Sequence, residues 1–159
     1  MRTSLYLDEL EVGQTFSSGT HEVTEAEIKE FAAKFDPQPF HLYNDLARDT
    51  IFGGLAASGW HIAAITMRLL IGSAPPFANG IIGIGGEIAW PHPTRPGDRL
   101  KVDSVITEIT PSRSKPDRGV VTVRSNTSNQ QDEIVQTFTA RVLVFRNPHK
   151  SGEAQRPDS

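Results

Sequence analysis

Apolar residues recur at helical spacing in the first half of the chain and at alternate positions in much of the second half. The first clear helical signature follows Val23, where Thr24 is placed to cap a helix and Glu27 to complete a capping box. The predicted helix therefore begins at Thr24. It ends at Asp36, because Pro37 disfavours helical geometry at the residue before it. Its apolar positions are Ile28, Phe31, Ala32 and Phe35.

A second segment, from Ile62 to Ile71, is apolar on nearly every face, which predicts a buried helix. Ser58 is its expected cap and Gly72 its expected stop. The first amides of this helix, near Gly59, lack acceptors within the helix and carry the positive end of its dipole. That end is a candidate oxyanion hole. The alternative is a plain core helix in which Gly59 only permits close packing.

From residue 81 onward the apolar positions mostly follow the period of two that is typical of strands. Turns at residues 95–98, 115–119 and 128–132 separate the extended segments, so we expect an antiparallel meander. The predicted strands cover residues 81–84, 87–90, 100–106, 120–124 and 134–145. On the last strand, one face carries Ile134, Phe138, Ala140, Val142 and Val144.

A wholly apolar helix needs cover, and a sheet with one apolar face supplies it. The economical architecture is therefore α+β, with one curved antiparallel sheet wrapped around the central buried helix. A chain of 159 residues fits one such domain. We place this domain at residues 1–146. Residues 147–159 are polar and aperiodic, which predicts a flexible C-terminal tail.

Composition narrows the function further. A net charge of -3 gives no basic field for a phosphate backbone, so nucleic acid is not an expected partner. The chain has no cysteine, which excludes disulfides, a cysteine nucleophile and thiolate metal sites. Acidic residues near the N-terminus and the lack of a long apolar stretch argue against a signal peptide or a membrane span. We therefore expect a cytoplasmic protein.

The segment from Asp36 to His41 carries the clearest candidate chemistry. Pro37 and Pro39 fix two φ angles, which holds the Asp36 and His41 side chains in a nearly constant relation, as a catalytic pair requires. Two alternatives remain open from the residues alone. One is an ordinary turn in which His41 packs. The other is a metal site that adds His61, although no pair of histidines at i, i+4 spacing supports it.

In order along the chain, these residues resemble the signature of the MaoC-like dehydratases, also called (R)-specific enoyl-CoA hydratases. The matching positions are Phe35-Asp36-Pro37-Gln38-Pro39-Phe40-His41, Ala47, Ala57-Ser58-Gly59 and the later Pro96-Gly97-Asp98 turn. The resemblance implies the hotdog fold over most of the chain. The family usually has glycine, asparagine and histidine where this chain has Phe35, Gln38 and Ser58. Some members also carry a serine near Thr66 and Met67.

The resemblance implies a lyase that reversibly hydrates a trans-2-enoyl-CoA to the (R)-3-hydroxyacyl-CoA. Asp36 and His41 then act on water and on the substrate's α-carbon, and the Gly59 amide holds the thioester oxygen. Coenzyme A enters as part of the acyl-CoA substrate, so no separate cofactor and no metal are expected. The candidate substrate-binding residues are Ser58, Trp60, Phe40 and Phe52. The unassigned cations that could meet coenzyme A phosphates are Arg68, Arg95, Arg99, Arg113, Lys115 and Arg118.

Two other functions on the same fold stay open: a thioesterase in which a carboxylate activates water, and a non-catalytic protein that binds acyl thioesters. A single hotdog sheet has an open edge, so we expect a homodimer or a multiple of it. The apolar segment 72–82 is a candidate interface or tunnel loop. Lesser expectations concern single residues: a structural role for His61, a turn at His92, exposed His21 and His149, an acyl-pocket role for Trp90, and strand bending at Gly83–Gly86.

Overall fold

The protein is built on one five-stranded antiparallel sheet, with strand order β1-β3-β4-β5-β2. The computed structural model describes residues 4–73 and 77–150. The strands are β1 Thr15–Glu22, β2 Ile82–Ala89, β3 Arg99–Pro111, β4 Arg118–Ser128 and β5 Ile134–Phe145. The helices are α1 Glu25–Phe35, α2 Pro39–Leu42, α3 Asn44–Arg48 and α4 Gly59–Gly72. The predicted α+β class, with a sheet around a central helix, is confirmed: α4 packs against β1, β3 and β5.

Helix α1 begins as its sequence predicts. The Thr24 hydroxyl accepts a hydrogen bond from the Glu27 amide, and the Glu27 carboxylate accepts one from the Thr24 amide, at 3.2 and 3.1 Å. Val23 before the cap and Ile28 inside the helix are both fully buried in one apolar cluster. The helix ends at Phe35, with Asp36 as its C-cap, as the following proline requires. Asp36 therefore leaves the helix at a fixed point.

The predicted meander is wrong for the first pair of strands. β3, β4 and β5 do follow one another as antiparallel neighbours, but β2 pairs with β5 at the far edge of the sheet. The turn at residues 95–98 is tied to the start of α1 instead of closing a hairpin. Gly97 donates its amide to the Val23 carbonyl, and Val23 donates to the Asp98 carbonyl. The chain therefore crosses from one edge of the sheet towards the other between β2 and β3.

Strand β1 is an element that the hydrophobic pattern does not predict. Phe16 is its one large apolar residue, so the strand shows no alternation of apolar and polar positions. Its register against β3 shifts between Ser17 and Thr20. At that irregularity, the Ser18 hydroxyl accepts a hydrogen bond from the Val102 amide. The strand is held by main-chain pairing with β3 and by this side chain.

The predicted bend in the glycine-rich strand is confirmed in β2, which is continuous from Ile82 to Ala89. Its register against β5 shifts between Gly83 and Gly85. A Cβ at Gly86 would lie 2.4 Å from the Thr139 carbonyl oxygen, so the two backbones approach more closely than any other residue would allow.

Helix α4 is buried on one face only, which corrects the expectation that it is buried all round. The inward side chains include Ile62, Ile65 and Thr66, whereas Trp60 is 61% exposed. The face of α4 that carries Trp60 and Ile71 is exposed. Together with β2 and the residue after β2, it forms one exposed apolar surface. We call this surface the edge face; its residues are Trp60, Met67, Ile71, Ile82, Ile84 and Trp90.

Two expectations from the sequence fall partly outside the described residues: the candidate interface or tunnel loop at 72–82 includes residues 74–76, and the predicted tail includes residues 151–159. On β5, the predicted buried face is present, with Val142 and Val144 in the apolar core and Ala140 packed against it. The core has two clusters, one around Ile62 of α4 and one between the sheet and the N-terminal residues Leu7 and Leu10.

Candidate active site

The structure brings Asp36 and His41 together. Asp36 caps the end of α1, and Pro39 begins the short helix α2 that carries His41, so the predicted loop contains a helical turn. The His41 Nε2 atom lies 3.3 Å from Asp36 Oδ2, and the two side chains are 6% and 16% exposed. The pair is therefore shielded from bulk water on most sides, with the carboxylate the more accessible partner.

The backbone fixes which nitrogen of His41 carries hydrogen. His41 Nδ1 lies 2.6 Å from the Ala56 carbonyl oxygen, and a carbonyl can only accept, so Nδ1 donates. In the neutral imidazole, Nε2 is then the basic nitrogen, and it is the atom that faces Asp36. The Phe40 ring packs edge-on against the imidazole at 4.5 Å, and the Phe52 ring lies at 6.1 Å. The two rings hold the imidazole in this orientation.

Asp36 accepts hydrogen bonds on both carboxylate oxygens. Ser58 Oγ donates to Oδ2 at 2.6 Å, and Gln38 Nε2 donates to Oδ1 at 2.6 Å. Burial acts to raise the pKa of Asp36, but these two bonds and the nearby His41 outweigh it and lower the pKa below its ordinary value. Gln38 and Ser58, two of the positions that depart from the family signature, therefore both support the carboxylate. The third, Phe35, is exposed and packs on Phe31.

The first turn of α4 lies beside this pair. Ser58 precedes the helix, and its carbonyl accepts the amides of His61 and Ile62. The amide of Gly59, the first helical residue, has no acceptor available within the helix. A Cβ at Gly59 would lie 2.6 Å from the Trp90 ring, so close packing also requires glycine here. Both readings of Gly59 from the sequence are therefore compatible with its position.

Comparison with known proteins identifies the family. A model of the MaoC-like domain matches residues 9–129. The chain belongs to the MaoC-like domain family. The crystal structure of a MaoC-like dehydratase from Rhodospirillum rubrum is similar, with 59% identity, a TM-score of 0.89, and coverage of 91% of this chain and 99% of that one. The hotdog fold implied by the sequence resemblance is confirmed.

Two further relatives extend this likeness. The (R)-hydratase PhaJ1 from Pseudomonas aeruginosa shares 27% identity, with a TM-score of 0.73 and coverage of 91% of this chain and 88% of that one. The uncharacterized protein YdeM of Bacillus subtilis is 32% identical over 143 residues, which cover 88% of this chain and 99% of YdeM. The family and the likeness to a dehydratase and an (R)-hydratase support a hydratase or dehydratase.

In this MaoC-like domain, a network of buried hydrogen bonds supports the Trp90 ring that packs on Gly59. The sequence pattern does not predict this network. Trp90 Nε1 donates to Gln136 Oε1, Gln136 Nε2 donates to Thr66 Oγ1, and the Thr66 hydroxyl is bonded to that of Thr127. The last three side chains are almost fully buried. The available signal was Gln136 at an inward position of β5 and Thr66 in an otherwise apolar helix.

A mostly apolar cavity of the MaoC-like domain lies towards the C-terminal end of α4. Its volume is about 510 Å³, and its lining is mostly apolar, with the hydrogen-bonded pair Ser104 and Ser125 on the sheet side. Met67, which lines it, comes eight residues after Gly59, a rise of about 12 Å along the helix. The candidate residues Phe40, Phe52 and Trp60 lie near the N-terminal end of α4. Phe40 and Phe52 pack together at 4.9 Å, and Trp60 packs on Trp90.

The other four histidines make contacts that do not involve Asp36 or His41. His61 is buried and stacked on Phe31 at 4.8 Å, and burial lowers its pKa. Its Nδ1 has no hydrogen-bond partner among the described residues. His21 is only partly exposed because it is bonded to Glu27, whereas His149 is exposed as predicted. His92 is exposed, with its ring bonded to the Ile134 carbonyl.

Within residues 4–73 and 77–150, no group of three or more His, Asp or Glu side chains is placed to hold a metal ion. The same part of the chain contains no helix with the length and apolar character needed to cross a membrane.

Proposed function

We propose that the protein catalyses the reversible hydration of a trans-2-enoyl-CoA to the (R)-3-hydroxyacyl-CoA. The observation that carries the proposal is the orientation of His41, whose Nδ1 is occupied by the Ala56 carbonyl while Nε2 faces Asp36. This arrangement offers one basic nitrogen and one carboxylate to a single water molecule. Membership of the MaoC-like family and the likeness to an (R)-hydratase support the same reaction.

In the first step, water bound between His41 and Asp36 adds to C3 of the enoyl group. The water gives a proton to His41 Nε2 while its oxygen forms the new bond to C3. The double bond shifts, and negative charge develops on the thioester oxygen. The Gly59 amide at the positive end of α4 is the donor that stabilises this charge.

In the second step, a proton must reach C2 to complete the addition. Asp36 is poorly suited to supply it, because its lowered pKa keeps it ionised near neutral pH. His41 has just received a proton and returns it from Nε2 to C2. Asp36 then acts by accepting a hydrogen bond from water and by stabilising the imidazolium, so the water's two hydrogens and its oxygen are all accounted for.

Substrate contacts follow from the same geometry. Phe40 and Phe52 form the apolar wall beside the imidazole, and Trp60 lies at the outer rim of the α4 N-terminus. Ser58 acts on the carboxylate through its bond to Asp36. Coenzyme A arrives with the acyl group, so the reaction calls for no separate cofactor.

We also propose that a second copy of the chain covers the edge face. β2 is the last strand of the sheet, so its outer edge has main-chain groups that can pair with another strand. The exposed apolar side chains of the edge face lie on that strand, on the residue that follows it and on α4. A two-fold pairing of β2 edges would extend the sheet and bury these side chains together.

The function is tested with a panel of enoyl-CoA thioesters of different chain length. We expect loss of the conjugated enoyl absorbance and formation of the (R) product, resolved by chiral chromatography. His41→Gln should abolish the activity, with His149→Gln as the exposed control. Release of free thiol instead would indicate a thioesterase, and binding with neither readout would indicate a non-catalytic binder; either result would overturn the proposal.

A further inference from the structure

The segment from residue 52 to residue 58 contacts each proposed catalytic side chain, His41 through a main-chain carbonyl and Asp36 through a side-chain hydroxyl. The carbonyl of Ala56 accepts from His41 Nδ1, and the hydroxyl of Ser58 donates to Asp36, both at 2.6 Å. The segment then enters α4 at Gly59. A displacement of this segment would change the orientation of the imidazole, the carboxylate and the amide together. We call residues 52–58 the support segment.

One guanidinium group holds the first half of the support segment. Arg95 Nη1 donates to the carbonyls of Gly54 and Leu55 at 2.9 and 3.3 Å, and Arg95 Nη2 donates to the carbonyl of Phe52. Gly53 between them has a φ of 63°, so the chain makes a sharp turn there. The guanidinium gathers three carbonyls that regular secondary structure does not pair.

The Arg95 main chain is itself anchored. Its amide donates to Asp98 Oδ2 at 2.8 Å, and the other oxygen of this buried carboxylate accepts from Gln130 at 3.0 Å. The preceding residue, Thr94, accepts the amide of Ala57 through its carbonyl at 2.9 Å. The Arg95 side chain therefore binds the support segment before Ala56, and the Thr94 carbonyl binds it after Ala56.

We propose that Arg95 is a positioning residue for His41. By fixing the support segment, it places the Ala56 carbonyl where it selects the imidazole form with a basic Nε2. This inference rests on the proposed function, and it gives Arg95 a role other than that of a coenzyme A phosphate ligand. Arginine is required because its planar fork reaches several acceptors at once, whereas a lysine ammonium on a flexible stem cannot hold the same set.

Replacing Arg95 should slow the reaction more than it weakens substrate binding. In Arg95→Lys we expect kcat to fall on the order of 10- to 100-fold, since small displacements of a catalytic group have effects of that size. KM should change little, because Arg95 is engaged with carbonyls of its own chain. Arg124→Lys, on the exposed outer side of β4, is the matched control and should retain wild-type kinetics.

The test combines kinetics with ¹⁵N NMR of the His41 ring, whose signals are assigned by comparison with His41→Gln. In the wild-type protein we expect separate signals for a protonated Nδ1 and an unprotonated Nε2. In Arg95→Lys and Arg95→Ala these signals should move towards each other. Millimolar guanidinium ion should partly restore the kcat of Arg95→Ala, whereas the same concentration of sodium chloride should not.

Thermal unfolding of each variant separates positioning from loss of the fold. Folded Arg95 variants with wild-type kcat would overturn the inference, and so would lost activity with unchanged His41 signals and no rescue. If the wild-type protein hydrates no thioester, the proposed function fails. The NMR comparison then still decides whether Arg95 positions the His41 ring.

Discussion

Ser58 directs its hydroxyl to Asp36 Oδ2, at 2.6 Å, although it occupies the N-cap of α4. A serine at this place in a sequence is ordinarily read as a helix cap, because its oxygen can accept an amide of the first turn. Here the hydroxyl hydrogen goes to a carboxylate 22 residues earlier in the chain. The start of the central helix and the end of α1 are thus joined through the carboxylate of the proposed catalytic pair.

Ser58→Ala should therefore act mainly on Asp36. Without this donor the pKa of Asp36 rises towards its ordinary value, because the bond lowers it in the wild-type protein. We expect the acidic limb of the kcat/KM profile to shift to higher pH. The free energy of unfolding should fall by about 1.5–3 kcal/mol at neutral pH, the range for hydrogen bonds to charged groups. Ser112→Ala, in the distant β3–β4 turn, should leave the profile in place.

Asp36 also predicts a pH dependence of stability. Its pKa is lowered in the folded protein relative to 3.8, so its charged form stabilises the fold above that pH. The stabilisation is lost as the pH falls through the folded-state value. Denaturant unfolding of wild type and Asp36→Asn should thus differ most above pH 3.8 and converge in stronger acid. Asp45→Asn, at a carboxyl group that is 89% exposed, is the control, and a similar convergence there would remove the special role of Asp36.

Gly59→Ala should strain the contact with Trp90. The new methyl group would lie 2.6 Å from the ring, so the ring or the helix must shift. We expect a loss of about 1–3 kcal/mol in the free energy of unfolding, as for other overpacked sites, together with loss of activity. The loss in stability should be smaller when Trp90 is already alanine, which a double-mutant cycle measures.

Gly72→Ala, at the other end of α4, is the matched control for Gly59→Ala. Apart from its two chain neighbours and the nearby backbone of α4, no described atom lies within 4 Å of a Cβ placed there. This substitution should leave activity and stability close to wild type. Additive effects of Gly59→Ala and Trp90→Ala in the cycle would show that the two residues do not press on each other.

Gln136→Leu should disturb the Trp90 ring from inside the fold. The substitution removes the acceptor of Trp90 Nε1 and the donor to Thr66. Buried groups left without partners cost about 1–3 kcal/mol each, so we expect a clear loss of stability in denaturant unfolding. Tryptophan fluorescence should shift as the indole changes its surroundings. Gln131→Leu, on an exposed turn five residues away, should change neither measurement.

Ile84→Lys tests the proposed pairing through the edge face. Ile84 is exposed on the edge strand β2, and a charge there would be buried if a second copy covers it. We expect sedimentation to show a dimer for wild type and a monomer for the variant. Ile51→Lys is the control, since Ile51 is 98% exposed and lies outside the edge face. A wild-type monomer, or a dimer that tolerates Ile84→Lys, would contradict the pairing.

Local signals in the sequence were sufficient for several elements. The capping box at Thr24 and Glu27 predicts the start of α1, because both hydrogen bonds involve residues three positions apart. Pro37 predicts its end for an equally local reason. The full extent of β5 follows from alternation along one strand. The signature from Asp36 to His41 placed the two side chains that the structure brings within 3.3 Å.

The remaining features depend on contacts between distant parts of the chain. Strand β2 could pair with the next strand in the chain or with a strand at the far side of the sheet, and it pairs with β5. The turn at residues 95–98 does not distinguish these two pairings. Strand β1 carries one large apolar residue and is defined by its partner β3. The roles of Ser58 and Arg95 depend on acceptors 22 and about 40 residues away. Periodicity and propensity carry no information on such acceptors.

The route of the chain from β2 to β3 has a consequence for how the site can change. Because β2 lies beside β5, the connection must travel past the start of α4, and it carries Trp90 against Gly59 and Arg95 against residues 52–55. Residues 90–95 thus contact both the N-terminus of α4 and the support segment that binds the His41 ring. A hairpin in its place would leave both unsupported. Insertions or deletions between residues 90 and 98 should therefore alter charge stabilisation and proton transfer jointly, even though none of those residues reacts.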